Sequence, residues 1–464
     1  CVDARRWPTF QFHRMKHVSD LRRHGLFDAR VPRFTSYPPA NWFSEDVDAT
    51  TVRAWQSNAP KDAEISIYVH IPFCRRLCWF CACRTQGTRN DAPLAPYVER
   101  VLAEARATRM GFANSVRPKR LHLGGGTPTI LSAPLLDTLL SGLDDIWNLG
   151  NLDEFSVEVD PTDVGPDRLA ALRARGLSRA SLGIQDFDPQ VQKAIGRAQS
   201  RDLTANVVDQ LRDLGVDALN FDLLYGLPFQ TEQTLAATLD AALDMEPGRI
   251  AFFGYAHVPW MSKRQSLIPS DALPQPERRL ALFDLARRTL LGRGYVQIGI
   301  DHFARPDDAL AQAFFDKRLT RSFQGYTDDT APYLVGLGAS AISTYPQGFA
   351  QNIPVTGKYS AQIDAGQPAV WRGYALNDRD HLKADLVEQL MCYHAATLSD
   401  AQLADPIILA GVDHIVDRFG DAVSWNGATL SIAHWAHPLV RLIAGTLTTD
   451  PNAQTDQRSY SAAI

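Results

Sequence analysis

Residues 64–83 read Glu64-Ile-Ser-Ile-Tyr-Val-His-Ile-Pro-Phe-Cys74-Arg-Arg-Leu-Cys78-Trp-Phe-Cys81-Ala-Cys83. The apolar, β-branched run Ile65–Ile71 predicts a buried strand. Three cysteines spaced C-x3-C-x2-C follow it, and Cys83 comes two residues later. The chain holds only six cysteines in 464 residues, too few for a disulfide scaffold. Four within ten residues indicate a metal or cluster site in a reducing compartment. Cys1 and Cys392 stand apart.

Three thiolates this close can hold one 4Fe-4S cluster and leave its fourth iron open. The alternative is structural zinc, which usually takes four ligands from two separated pairs. No second Cys/His pair follows downstream. Cys83 is either a fourth ligand or a free thiol. The free thiol is preferred, because a fourth protein ligand would close the open iron.

Outward from this loop, short apolar runs alternate with segments of helical period. The strand candidates are Ile65–Ile71, Arg120–Leu123, Phe155–Val159, Arg179–Ile184, Ala218–Leu224 and Ile250–Ala256. Helix candidates are 95–113, 133–147, 166–176, 188–214 and 231–245. This order implies right-handed crossovers and a parallel sheet. Each strand run ends in polar or glycine residues, as when a parallel barrel gathers its chemistry at the C-terminal ends of its strands. The fold class is therefore α/β, a partial (β/α)6 TIM-like barrel, with a doubly wound open sheet as the competing architecture. A further strand, Val296–Ile300, precedes Asp301. Beyond 375 the pattern changes to helices at 379–396 and 400–418, and Asn426-Gly427 signals a hairpin between Val423–Trp425 and Ala428–Ile432. The expected division is an N-terminal extension (1–63), a barrel (64–375) and a mostly helical, winged-helix-like C-terminal domain (376–464).

Hydrophobic residues make up 45% and charged residues 21%, which excludes wholesale disorder. The net charge of −5 disfavours nucleic-acid binding. No apolar run reaches the roughly 18–20 residues of a membrane span. Residues 1–18 lack a continuous apolar stretch and a small-residue cleavage site, so they do not read as a secretion signal. Met15 is read as the start, with residues 1–14 an extension without a fold role.

C-x3-C-x2-C after a first strand resembles the radical S-adenosylmethionine (radical SAM) superfamily. The similarity is narrower still. Tyr68-Val-His-Ile-Pro-Phe-Cys74, Gly124-Gly-Gly-Thr-Pro-Thr129, Glu158-Val-Asp-Pro161, Gly183-Ile-Gln-Asp-Phe187, Asp222-Leu-Leu-Tyr-Gly-Leu-Pro228 and Asp301-His-Phe-Ala-Arg-Pro306 resemble the oxygen-independent coproporphyrinogen III oxidase family. So do Arg33-Phe-Thr-Ser-Tyr-Pro38, Phe323-Gln-Gly-Tyr-Thr327 and Trp371-Arg-Gly373. The resemblance covers roughly residues 20–400.

It implies that Cys74, Cys78 and Cys81 ligate the cluster and that two S-adenosyl-L-methionine molecules bind. Tyr68, Phe80, Gly125, Gly126, Thr127, Glu158, Gln185, Arg197, Asp222, Ala256 and Ile342 would contact them. Glu158 would hold the ammonium of the methionine moiety; read as a bare residue, it is a salt-bridge partner of a helix arginine. Glycines at 124–126 allow close backbone approach to a ligand or make a plain tight turn. Arg197 suits a carboxylate through its forked donors. His70 is read as a core histidine or a neighbour of the cluster, and Gln324 with Tyr326 as a loop reaching the cavity. His381, His394, His414, His434 and His437 are taken as isolated structural residues.

The implied reaction converts two propionates of coproporphyrinogen III to vinyl groups, giving protoporphyrinogen IX and two CO2 in heme biosynthesis. A 5′-deoxyadenosyl radical takes a hydrogen from the propionate β-carbon; the substrate radical then loses one electron and CO2. Tyr68 and Cys83 are nominated as assisting groups. The acidic substrate requires a locally basic cavity, for which Arg33 and Arg305 are the candidate clamps. The implied partners are the tetrapyrrole and an electron donor such as flavodoxin or ferredoxin, with the chain a cytoplasmic monomer. The rivals on this fold are a heme chaperone, a radical methyltransferase and a heme-opening enzyme. The chaperone usually lacks a cysteine matching Cys83 and a segment matching Arg33–Pro38.

Overall fold

The computed structural model describes residues 16–34, 37–323, 325–448 and 462–464. The start assigned to Met15, and Gln324 in the loop assigned to the cavity, lie outside them.

Six parallel strands follow the cysteine-loop pattern: β1 (Ala63–Ile71), β2 (Val116–Gly125), β3 (Glu154–Val159), β4 (Arg179–Gln185), β5 (Ala218–Tyr225) and β6 (Arg249–Gly254). They lie side by side in chain order, so no strand-order reversal marks a doubly wound sheet. Their crossover helices are Leu94–Arg109, Ala133–Trp147, Pro166–Ala174, the pair Pro189–Ala194 and Arg201–Asp213, and Glu232–Leu243. The single helix expected over 188–214 is thus two helices. Gly196 at φ +66° turns the chain between them, and the Ser200 side chain caps the second.

The sheet extends at both sides. Tyr333–Leu337 adds in parallel beside β1, and three antiparallel strands, Ile342–Tyr345, Gly348–Asn352 and Val370–Ala375, continue outward. Beyond β6, His302–Ala304 and Val296–Ile298 run antiparallel. These flanks leave the twelve-stranded sheet open.

Alternation along each strand sets two environments. On β1, Ile65, Ile67, Val69 and Ile71 are buried among the helices. The opposite face aligns polar groups: Tyr68 with His122, His122 with Ser156, Glu158 with Ser181, and Gly183 with Asp222. A polar inner face is what a barrel needs when it encloses a site instead of a packed core.

A second apolar core joins distant parts of the chain. Leu21, Leu26, Phe27 and Phe34 pack with Leu390, Met391, Ile415, Phe419 and Ile443. The C-terminal region contains helices Asp378–Tyr393, Asp400–Ala404, Pro406–Phe419 and Val440–Thr448, with a three-stranded sheet of Ala395–Thr397, Thr429–Ile432 and Val423–Trp425. The helix expected over 400–418 is split where Pro406 starts a new helix capped by Asp405. Arg30 bridges antiparallel to Ala462, tying the N-terminal segment to the last described residues.

Candidate active site

A cavity of about 1450 Å³ opens at the C-terminal ends of the strands. Its floor includes Gln185, Asp222, Tyr225 and Gly254; its far wall includes Arg33, Arg441 and Ala462–Ile464. The cysteine loop supplies Phe80, Cys81, Ala82 and Cys83.

That loop is held by backbone bonds before any cofactor is considered. Trp79 N–H donates to Ile195 O at 2.9 Å. Ser262 Oγ donates to Cys81 O at 3.1 Å, Arg264 Nη2 to Cys83 O at 3.2 Å, and Gln265 Nε2 to Phe80 O at 2.8 Å and Ala256 O at 3.0 Å. One amide therefore joins two residues assigned to S-adenosylmethionine. No periodic pattern marked Gln265; it acts from a short 3-10 turn, Lys263–Leu267.

Cys78 is buried, Cys74 and Cys81 are half-buried, and Cys83 is exposed. Burial pushes the Cys74 thiol up to about 12, opposed by a hydrogen bond with Thr127. A hydrogen bond from Cys83 holds the Cys81 thiol below its ordinary range. Arg197 Nη1 lies 3.4 Å from the Cys78 sulfur and 3.2 Å from Asp160, Nη2 donates to Gly183 O at 2.6 Å, and its buried Nε has no partner. Three thiols, a cation donating to one of them, and an adjoining cavity fit an iron–sulfur cluster. Among the described residues no three His, Cys, Asp or Glu side chains converge on a single-ion site, which is the geometry the zinc reading needs.

Glu158 Oε2 accepts Gly125 N–H at 2.9 Å, and Oε1 lies 3.5 Å from His122 Nε2. Burial alone would raise this carboxyl, but the bonds from His122 and Gly125 outweigh it and keep the group below its usual range. Among the described residues the partners of Glu158 are His122 and the Gly125 backbone, not the helix arginine considered for it. His122 was missed, although it occupies an inward position of β2. His70 Nε2 faces Arg84 O at 3.0 Å, so that nitrogen carries the proton and Nδ1 accepts from Tyr68 Oη at 2.9 Å. Burial depresses His70, keeping it neutral. Asp222, bonded to Asn220 and Ser181, is pushed up to about 6 by burial and by the Glu158 charge.

The glycine turn is demanded first by the protein itself. A Cβ on Gly125, at φ +112°, would meet the His70 ring at 2.6 Å, and one on Gly126 would meet Phe73 O at 2.6 Å. Gln185 also sits at positive φ, +74°, a strained position for a side chain of its type.

Phe80, Cys81, Cys83, Gln185, Asp222 and Ala256 line the cavity together. Tyr68, Gly125, Gly126, Thr127 and Glu158 are not among its lining residues. Ile342 begins a flanking strand and lies off the cavity lining. Arg33 lines the cavity, but Arg305 does not: it is half exposed and paired with Asp307. Tyr326 is buried, donating to Met391 O. His394, His434 and His437 are not isolated: all three line the cavity, and His394 stacks on His437 at 3.8 Å.

An open parallel barrel with a three-thiol loop after its first strand defines a radical SAM protein. The family described as the Radical SAM superfamily matches residues 68–242. The oxygen-independent coproporphyrinogen III oxidase of Paracoccus denitrificans is 48% identical over 93% of this chain and 96% of its own length. That of Bradyrhizobium diazoefficiens is 40% identical over 93% and 98%. The solved coproporphyrinogen III oxidase of Escherichia coli, described as a radical SAM enzyme, superposes with a TM-score of 0.84 at 34% identity, covering 90% of this chain and 97% of that one. The chain belongs to the oxygen-independent coproporphyrinogen III oxidase family.

Proposed function

We propose that this chain converts coproporphyrinogen III to protoporphyrinogen IX in heme biosynthesis by oxygen-independent oxidative decarboxylation of two propionates. The observation that carries the reading is the delivery of Cys81 and Cys83 by the three-thiol loop to the wall of a 1450 Å³ cavity. A bound 4Fe-4S cluster with S-adenosylmethionine would supply a 5′-deoxyadenosyl radical able to take a hydrogen atom from a substrate carbon.

The protein's own residues bind, orient and exclude water. Cys74, Cys78 and Cys81 are the ligand thiols. Glu158, kept anionic, is suited to an ammonium group, and Gly125, Gly126 and Thr127 shape the turn beside it. Tyr68 and Phe80 border the same side. Gln185, Asp222 and Ala256 share the cavity lining, which supports their contact with a second S-adenosylmethionine. Arg197 and Ile342 fit that second site less directly, because Arg197 is engaged with Asp160 and Cys78 and Ile342 lies off the cavity. Cys83, exposed in the cavity, and Tyr68, bonded to His70, are the assisting groups.

The same reading makes the chain a cytoplasmic monomer supplied with electrons by flavodoxin or ferredoxin. It divides the chain into an extension (1–63), a barrel (64–375) and a C-terminal domain (376–464), with the extension and C-terminal domain sharing one core. Among the described residues no helix is long and apolar enough to cross a membrane.

Anaerobic incubation of reconstituted protein with coproporphyrinogen III, S-adenosylmethionine and a reductant tests the reading. Vinyl product with two equivalents of 5′-deoxyadenosine is expected. Tight heme binding without turnover would replace the oxidase by a chaperone.

A further inference from the structure

Four guanidinium groups from four separate parts of the chain meet at the cavity: Arg33 from the N-terminal segment, Arg279 from helix Pro276–Gly292, Arg321 from strand Thr320–Ser322, and Arg441 from helix Val440–Thr448. Their partners are carbonyls and rings. Arg33 Nη2 donates to Gly254 O at 3.1 Å. Arg279 donates to Tyr255 O at 2.7 Å and Gly226 O at 3.4 Å. Arg321 donates to Phe34 O at 2.9 Å and lies 4.1 Å from the Tyr326 ring. Arg441 donates to Val31, Pro32, Ala462 and Ala463 carbonyls. Among the described residues none of the four forms an ion pair with a carboxylate. Of the carboxylates that share the lining, Glu277 pairs with Arg22, Asp222 bonds Asn220 and Ser181, and Asp301 bonds His302 at 2.7 Å while acting on Arg33, Arg321 and Arg441 only through space.

Carbonyl dipoles position a guanidinium but do not neutralise it, and the one carboxylate acting on Arg33, Arg321 and Arg441, Asp301, leaves the group with a net positive charge. Gathering such charges at a partly buried wall opposes folding unless a ligand brings the counter-charge. Burial, and after it the proximity of Arg33, pushes Arg441 down to about 9, so the mutual repulsion is felt. The wall also presents apolar and aromatic side chains, among them Phe34, Phe253, Tyr255 and Leu280. Apolar walls with a cationic belt fit a flat macrocycle that carries several carboxylates at its edge.

We propose that Arg33, Arg279 and Arg321 form a carboxylate-binding belt that seats the propionates of the tetrapyrrole, while Arg441 staples the two chain segments that carry the belt's outer wall. This deepens, and rests on, the oxidase reading. Held by some of its propionates, the macrocycle presents another to the Cys81–Cys83 side, so the belt selects tetracarboxylates and sets which propionate is within reach.

Fluorescence titration of the full chain tests this with coproporphyrin III, an unreactive tetracarboxylate, and protoporphyrin IX, a dicarboxylate. Arg321→Gln and Arg279→Gln should each weaken coproporphyrin III binding about 10- to 100-fold and protoporphyrin IX binding less. Arg321→Lys should recover part of the loss, and the salt dependence of the glutamine variants should be shallower than wild type. Arg33→Gln, at an exposed side chain, provides the same test should the other variants fold poorly. Wild-type affinity and salt dependence in Arg33→Gln, together with either other variant, would overturn the belt. Wild-type protein that turns over coproporphyrinogen III while those variants bind normally condemns the belt alone. Wild-type protein that neither binds nor converts the tetrapyrrole condemns the oxidase reading beneath it.

Discussion

Arginines gather at both ends of the barrel, and the two groups differ in their company. At the N-terminal end, Arg120, Arg179 and Arg249 interlock with Glu154, Asp308 and Asp328. Arg120 lies 2.9 Å from Asp328, Arg179 2.6 Å from Glu154, and Arg249 2.5 Å from Asp308, with cross-links of 3.5–3.7 Å between pairs. Asp329 adds a fourth carboxylate 3.9 Å from Arg120, so three cations meet four anions and the network plugs the barrel. At the C-terminal end the cations meet carbonyls and rings. Compensated charge is architecture; cations outnumbering the one carboxylate that acts on them beside a cavity mark a site awaiting an anion.

The sharpest way to break this contrast is at the plug. Asp328→Asn should remove the carboxylate that Arg120 and Arg249 share and destabilise the fold by about 3–5 kcal/mol in denaturant titration, with porphyrin affinity per folded molecule unchanged. Acid probes the same network more gently. Despite burial, Arg120 holds the Asp328 carboxyl at about 2, below its ordinary value of 3.8. A depressed acid stabilises the native state fully above its unfolded pKa, and that share is lost as pH falls through the folded one. Between about pH 4 and 2, stability should therefore drop by on the order of 2 kcal/mol more in wild type than in Asp328→Asn. At the cavity end, Arg33→Ala should raise the substrate KM about tenfold, roughly 1.4 kcal/mol, while S-adenosylmethionine cleavage and Tm stay near wild type. An unchanged KM would remove Arg33 from the site. Smallest of all, raising salt from about 0.05 to 0.5 M should weaken porphyrin binding yet barely move Tm, because the plug is buried from counterions.

The six central strands were legible in the sequence because each is a run of apolar or β-branched residues between helical stretches. The flanking strands were not. Ile342–Tyr345 and Gly348–Asn352 are short, mix polar with apolar residues, and acquire strand character only by pairing beside β1's neighbour. The cluster loop was legible because its thiols are local. The arginine belt was not, since positions 33, 279, 321 and 441 meet only through the second core; the expectation for Arg305 failed because an exposed aspartate two residues away takes its charge. Spacing alone could not show that Glu158 would draw its partners from β2 and the glycine turn.

Gln265 has a consequence of another kind. Its side chain accepts from Val258 N–H at 2.5 Å and donates to Phe80 and Ala256, so the thiol loop is already moored on both flanks by ordinary amide chemistry. In small zinc modules the ion and the fold arrive together. Here the scaffold can mature first and receive its inorganic core late, so iron starvation should yield an intact, chargeable polypeptide and not a misfolded one.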